Sequence, residues 1–160
     1  MSKDAVTLLT EQHESAKKLL DALAETTDRG VKTRGELLEK VAKELKHHMT
    51  IEEEIFYPAF KEAVERKKDK RLYYEAQEEH HAARSVLKDL LRADPASVAF
   101  GGKAKVLKEL VDHHVEEEQS EMFPRAREAF TKPELVELAE RMQTRMEALE
   151  NGRAWERTGS

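Results

Sequence analysis

No cysteine occurs in the 160 residues, so disulfides, thiolate metal ligands and cysteine nucleophiles are all excluded. Glycine is scarce at 6 and proline at 4, while 38% of residues are charged and 39% hydrophobic, a balance that fits amphipathic helices rather than a sheet. No apolar run is long enough to span a bilayer, and the start, MSKDAVTLLTEQHE, lacks the uninterrupted apolar stretch of a secretory signal. A concentrated basic face is missing too. The net charge is −5, and the one basic cluster, KEAVERKKDKR (61–71), reads as a solvated helix end and turn, which argues against a nucleic-acid partner. The expectation is a single-domain, all-α cytoplasmic protein with no membrane partner.

Apolar residues recur at helical spacing in five segments. The first covers roughly 4–26, the second 34 to the mid-60s, the third 70–92, the fourth 103–129, and the fifth runs from TKPEL (131–135) to about 150. ADPAS (93–97) and FGG (100–102) are read as the loop before the fourth helix. Four long helices on short connections predict an up-down-up-down bundle over 1–130, with an appended helix over 131–150 and a flexible tail over 151–160. The appended helix carries Leu135, Leu138, Met142, Met146 and Leu149 on one stripe, which must cover either the bundle or a second subunit. Monomer and homodimer both stay open.

What is present in excess is a repeat. HHMTIEEEIFYP (47–58) and HHVEEEQSEMFP (113–124) place His-His, Glu and Pro at the same offsets, 66 residues apart. At an offset of 67, His13 pairs with His80, Leu20 with Leu87 and Leu23 with Leu90. A duplicated helix pair in a bundle generates a pseudo-twofold axis, and residues repeated along that axis converge.

Helical projection says which repeated residues face inward. Leu37, Val41, Leu45, Ile55, Phe56 and Ala59 lie within about 80° of His48, and Glu52 lies about 40° from it. His47 falls about 100° away, on the flank. His13 shares a face with Val6, Leu9 and Leu20, and His80 with Tyr73, Ala76 and Leu87. His114 and Glu118 share one with Leu107 and Val111. The remaining doublet members, His81 and His113, are read as flank or surface residues. Arg84, one turn after His80, is read either as a donor behind the site or as a side chain reaching to solvent. By the same projection Tyr57 points about 180° from His48 and is assigned to packing between helices, a ligand role requiring local distortion of the helix.

Four inward histidines and two inward glutamates in an apolar core demand compensation, because an unpartnered buried carboxylate costs several kcal/mol. A pair of cations bound by imidazole and bridging carboxylate relieves all six groups together. With no thiolate, two sets of about two histidines and a carboxylate suit non-haem iron better than structural zinc, calcium or magnesium would prefer oxygen ligands, and manganese stays open. A ferritin-like carboxylate protein fits less well, since that fold wants two Glu-x-x-His motifs and the chain has only Glu44-His47. A metal-free helical interaction module leaves the buried glutamates unexplained.

TEQHES (10–15), HMTIEEEIFYP (48–58), EEHHAA (78–83) and HVEEEQSEMFP (114–124) resemble, in order and spacing, the four motifs of the hemerythrin-like family. The resemblance covers about residues 5–130 and implies a hemerythrin-like four-helix bundle. It also implies two Fe ions in an oxo- or hydroxo-bridged centre held by His13, His48, Glu52, His80, His114 and Glu118. It departs from oxygen-carrying members at Arg84, where they have a further histidine, and in the spacing of the final carboxylate, which His113 and Glu118 would satisfy. The expected partner is a small molecule: dioxygen, hydrogen peroxide or nitric oxide. The leading expectation is a di-iron protein that binds and reacts with dioxygen or hydrogen peroxide, catalase-like peroxide decomposition being one form of that reactivity, and a non-catalytic iron, oxygen or nitric oxide sensor or binding protein is the alternative.

Overall fold

The computed structural model describes residues 2–159, with side chains described for residues 2–152. The helices are α1 (Ala5–Ala24), α2 (Val31–Ile51), α3 (Tyr57–Ala63), α4 (Lys67–Arg92), α5 (Val98–Glu117), α6 (Phe123–Ala129) and α7 (Lys132–Gly159). Two π-helical turns, π1 (Glu52–Phe56) and π2 (Glu118–Met122), join α2 to α3 and α5 to α6 without a break. The result is four rods and a fifth helix. No strand occurs among the described residues.

Each rod buries one stripe. Leu9, Leu20 and Leu23 of α1, Val41 and Leu45 of α2, Leu87 and Leu90 of α4, and Leu107 and Val111 of α5 line the interior. The polar cluster divides this core into two apolar halves, one around Phe56, Tyr57, Phe60 and Phe123, the other around Leu20, Leu87, Phe100 and Leu107. Sequential rods pack as neighbours, as short loops require.

The FGG loop expected before α5 is helix instead. Ser97 caps α5 by accepting from the Phe100 N–H at 3.1 Å, so the helix starts five residues earlier than its apolar pattern suggests. Phe100 is fully buried, and the buried Arg34 guanidinium stacks 4.8 Å from its ring centre while donating to the carbonyls of Pro95 and Ser97. A Cβ at Gly101 would stand 3.4 Å from Arg34 Nη2, an ordinary contact, so Gly101 packs beside this staple within the helix rather than breaking it.

The stripe of α7 covers the bundle itself. Leu135, Leu138 and Met142 are buried with Leu9, Ile55 and Phe56, and α7 lies against α1, α2 and π1. His47, expected on the flank or surface, is buried beneath α7, with Nδ1 3.8 Å from a Glu150 carboxylate oxygen. The tail expected over 151–160 falls almost wholly outside the residues with described side chains.

Asp4 ties the ends together. It caps α1 by accepting from Thr7 N–H at 2.8 Å and receives Arg127 at 2.9 Å and Lys132 at 2.6 Å. Burial alone would raise this carboxyl, but Lys132, Thr7 and Arg127 outweigh it and hold Asp4 well below the usual carboxylate range. Because the folded value lies below the unfolded one, the contribution is fully present above about pH 4 and is lost as pH falls through the folded value. Asp4→Asn keeps the cap and removes the charge. It is expected to cost about 1 kcal/mol at pH 7, a modest figure because Arg127 and Lys132 are themselves half exposed. Thermal melts should show a gap to wild type that closes as pH is lowered below about 4.

Candidate metal centre

The wide turns π1 and π2 create the site, and the prolines account for them. In a regular α-turn the ring of Pro58 would collide with the Glu54 carbonyl, and that of Pro124 with the Ser120 carbonyl, and neither proline has an N–H to donate. The chain widens instead: Tyr57 N–H bonds Glu52 O, and Phe123 N–H bonds Glu118 O, each five residues back. One added residue rotates everything that follows by about 100°. Tyr57 therefore turns into the core instead of lying about 180° from His48, and the wide turn is the local distortion that such an inward position required.

The six residues expected from the repeat converge. His13, His48, His80, His114, Glu52 and Glu118 are all buried, each less than 10% exposed. They form two overlapping groups, His13-His48-Glu52-Glu118 and His80-His114-Glu52-Glu118, within each of which the potential ligand atoms lie within 4.8 Å of one another. Both carboxylates belong to both groups. His48 Nε2 lies 3.0 Å and His80 Nε2 3.1 Å from Glu52 Oε1, while His13 Nε2 lies 2.9 Å from Glu118 Oε1 and His114 Nε2 3.2 Å from Glu118 Oε2. His113, the alternative to His114, faces outward with its side chain 63% exposed, 3.1 Å from Glu117 and 3.4 Å from Glu79.

Tyr57 closes one group. Its hydroxyl lies 3.1 Å from Glu52 Oε1 and from His114 Nε2, 3.2 Å from His80 Nε2, and donates to Glu118 Oε2. The first group has Phe123 instead, stacked on His13 with ring centres 5.6 Å apart.

A ring of residues that motif reading passed over orients the imidazoles through Nδ1. Gln12 meets His48 at 2.7 Å and Gln119 meets His13 at 2.9 Å; Glu79 meets His114 at 2.7 Å and Glu53 meets His80 at 2.6 Å. The repeat encodes these residues, because Gln12 pairs with Glu79 at offset 67 and Glu53 with Gln119 at 66. One group is thus backed by neutral amides and the other by carboxylates. Arg84 acts here. Its Nη1 sits 2.6 Å from Glu53 Oε2, so it touches the oxygen that orients His80 rather than the cluster itself.

The electrostatics of the protein alone are those of a site built around positive charge. Burial would raise Glu52, but His48, His114 and His80 pull it well below the usual range, and Glu118 is lowered against both burial and Glu52 by His114 and His13. Burial would lower His13, His80 and His114, yet the carboxylates hold all three above an ordinary histidine. Burial together with Glu118 and Glu52 pushes the Tyr57 phenol well above its usual value. Even so, His13 Nε2, His48 Nε2, Glu52 Oε2 and Glu118 Oε1 are buried without a properly aligned hydrogen bond. Orphaned ligand-type atoms facing one another across a few ångströms fit cations, which would satisfy all four. Beside them is a cavity of about 30 Å3, bounded by the four imidazoles and walled by Ala16, Leu45, Met49, Ala83, Val111 and Val115. That space admits roughly one or two water-sized molecules.

No helix among the described residues is long and apolar enough to cross a membrane. No curated protein matches the chain. A solved structure of a hemerythrin HHE cation binding domain-containing protein from Mycobacterium kansasii superposes with a TM-score of 0.81 at 28% identity, covering 96% of this chain and 91% of that one. The sequence model of the hemerythrin HHE cation binding domain matches residues 4–126. With a buried His/Glu cluster in a bundle of this shape, the chain belongs to the hemerythrin HHE cation-binding family.

Proposed function

We propose that the chain holds two iron ions, one at His13 and His48 and the other at His80 and His114, with Glu52 and Glu118 common to both, and reacts with hydrogen peroxide or dioxygen. The observation that carries this reading is the sharing of both buried carboxylates between two histidine pairs. Imidazole and carboxylate donors without thiolate suit non-haem iron. An iron pair supplies Lewis-acid and one-electron redox chemistry to a bound oxygen species.

The protein's own groups do the rest. The four Nδ1 contacts fix each imidazole with Nε2 facing the cluster, which sets ring orientation before any cation arrives. The cavity limits access to small ligands, and its aliphatic walls favour a diatomic or peroxide over anything charged and bulky. The Tyr57 hydroxyl holds a proton at Glu118 Oε2, where a reacting oxygen would need one. Arg84 cannot ligate, because its guanidinium stays protonated, so the third rod offers only His80.

Protein loaded anaerobically with ferrous iron and then desalted is expected to retain close to two irons per chain, and to release oxygen from hydrogen peroxide faster than an equal concentration of free iron. Elemental analysis and an oxygen electrode measure the two. Stoichiometric zinc, or no retained iron, defeats the di-iron reading. Retained iron with no oxygen release leaves binding of dioxygen or nitric oxide as the function.

A further inference from the structure

The chain has three tyrosines, and all three are in contact in one line. Tyr57 sits at the cluster, wholly buried. Its ring centre is 6.4 Å from that of Tyr73, whose ring centre is 5.0 Å from that of Tyr74. Tyr74 is 51% exposed. The line therefore joins a buried redox-capable site to solvent in two ring-to-ring steps.

The repeat shows that bundle packing alone does not require these phenols. The residue matching Tyr57 is Phe123, and those matching Tyr73 and Tyr74 on α1 are Val6 and Thr7. The other half of the same bundle packs without a phenol at any of the three positions. The phenols also have somewhere to meet a small molecule. An open groove of about 610 Å3 runs past Tyr73, bordered by Lys61, Lys70 and Arg141 and by the carboxylates Glu54 and Glu62. Lys61 Nζ lies 4.9 Å from the centre of the Tyr73 ring and 5.1 Å from that of Tyr74.

We infer that Tyr57, Tyr73 and Tyr74 form an electron path from the cluster to the surface, through which small phenolic or enediol reductants supply the electrons for peroxide reduction. The inference rests on the peroxide reactivity proposed above. Reducing one hydrogen peroxide breaks the O–O bond and yields two waters, consuming two electrons and two protons. Each electron leaves Tyr57 together with its phenolic proton, which goes to an oxygen of the peroxide, so that two such transfers supply the two electrons and two protons. Tyr73 then refills Tyr57, and Tyr74 refills Tyr73. The exposed Tyr74 regains one electron and one proton from the reductant, so two reductant molecules are oxidised by one electron each. With no reductant present, two oxidised Tyr74 rings from separate molecules, each already short of one electron and one proton, couple through a new carbon–carbon bond, and the ring hydrogens at the joined carbons move to the phenol oxygens. One peroxide is then consumed per dityrosine.

The experiment adds hydrogen peroxide to iron-loaded full-length protein without reductant, then follows the tyrosyl radical by freeze-quench paramagnetic resonance and dityrosine by fluorescence and peptide mass spectrometry. Wild type is expected to give a radical and a covalent dimer linked through Tyr74, and ascorbate is expected to suppress both. Tyr74→Phe should cut the dimer at least about tenfold. Tyr73→Phe should do the same while Tyr73→Trp, an oxidisable ring, restores the radical at Tyr74, which a packing role would not predict. Iron content is measured on every sample and should match wild type. Peroxide consumption without oxidation of Tyr74, or a dimer undiminished in Tyr73→Phe, overturns the path while leaving the proposed function standing. Protein that consumes no peroxide beyond free iron overturns both.

Discussion

Glu118→Ala protein is expected to lose both cations, whereas His13→Ala and His80→Ala each lose one. The difference follows from membership: Glu118 lies in both four-residue groups, and each histidine lies in one. Removing an orienting residue behind a metal ligand already lowers affinity by about 10- to 100-fold, so loss of a carboxylate common to two positions should exceed about 100-fold at each. Glu118→Gln separates charge from shape, since it keeps an acceptor for Tyr57 but removes the anion facing His13 and His114. It too should bind less than one iron per chain. Elemental analysis after desalting gives the stoichiometry, and circular dichroism confirms that the helices survive. If Glu118→Ala retained one iron, the two positions would not share that carboxylate.

Met142→Asp is expected to remove most of the fold's stability. Met142 is 0% exposed and lies in the half of the core that holds Phe56, Phe60 and Phe123. Losing a buried methionine costs about 2–5 kcal/mol, and an unpaired buried carboxylate adds several more. Domains of this kind are stable by only about 5–15 kcal/mol in total. The neighbouring Gln143 is exposed, so Gln143→Asp should leave the melting temperature within a degree or two of wild type. Because α7 also packs on π1, the destabilised variant should lose iron along with its fold. A Met142→Asp protein that melts like wild type would mean that α7 is not held against the bundle in solution.

The inward histidines were legible because they sit in regular helix: His13 and His80 lie on α1 and α4, which have no wide turn, and His48 and His114 precede the wide turns of their rods. Glu52 and Glu118 open those turns, before the phase has shifted, so a constant angle per residue projects them correctly as well. Tyr57 lies beyond π1, and the same projection sends it the wrong way by about one residue's rotation. The signal was present in Pro58 and Pro124, which stand at equivalent points of two otherwise helical rods. Phe100-Gly101-Gly102 was misread for a different reason. Two adjacent glycines look like a loop until it is known that Ser97 caps the helix ahead of them and that Phe100 is buried under Arg34, a residue 66 positions earlier in the chain. The stripe on α7 announced burial but not against what, since an apolar face carries no address; only the packing of Leu135, Leu138 and Met142 on α1, α2 and π1 supplies one. Gln12, Glu53, Glu79 and Gln119 were hidden among other polar helix residues, although the repeat that exposed the ligand-type residues pairs them as well.

The wide turns also decide which kinds of genetic change this protein tolerates. Glu54 and Ser120 are exposed, and a different side chain at either place leaves the phase of its rod intact. Loss of a single codon there removes the extra residue, and a turn that closes to the regular α count keeps Tyr57 and Phe60, or Phe123 and Ala126, near the faces they now occupy. Loss of a codon between His48 and Glu52, or between His114 and Glu118, has no such slack and swings every later residue of the rod by about 100°. The centre is therefore guarded by chain length as well as by residue identity: the count from each of these histidines to its glutamate is fixed, while the wide turn that follows can give one residue up.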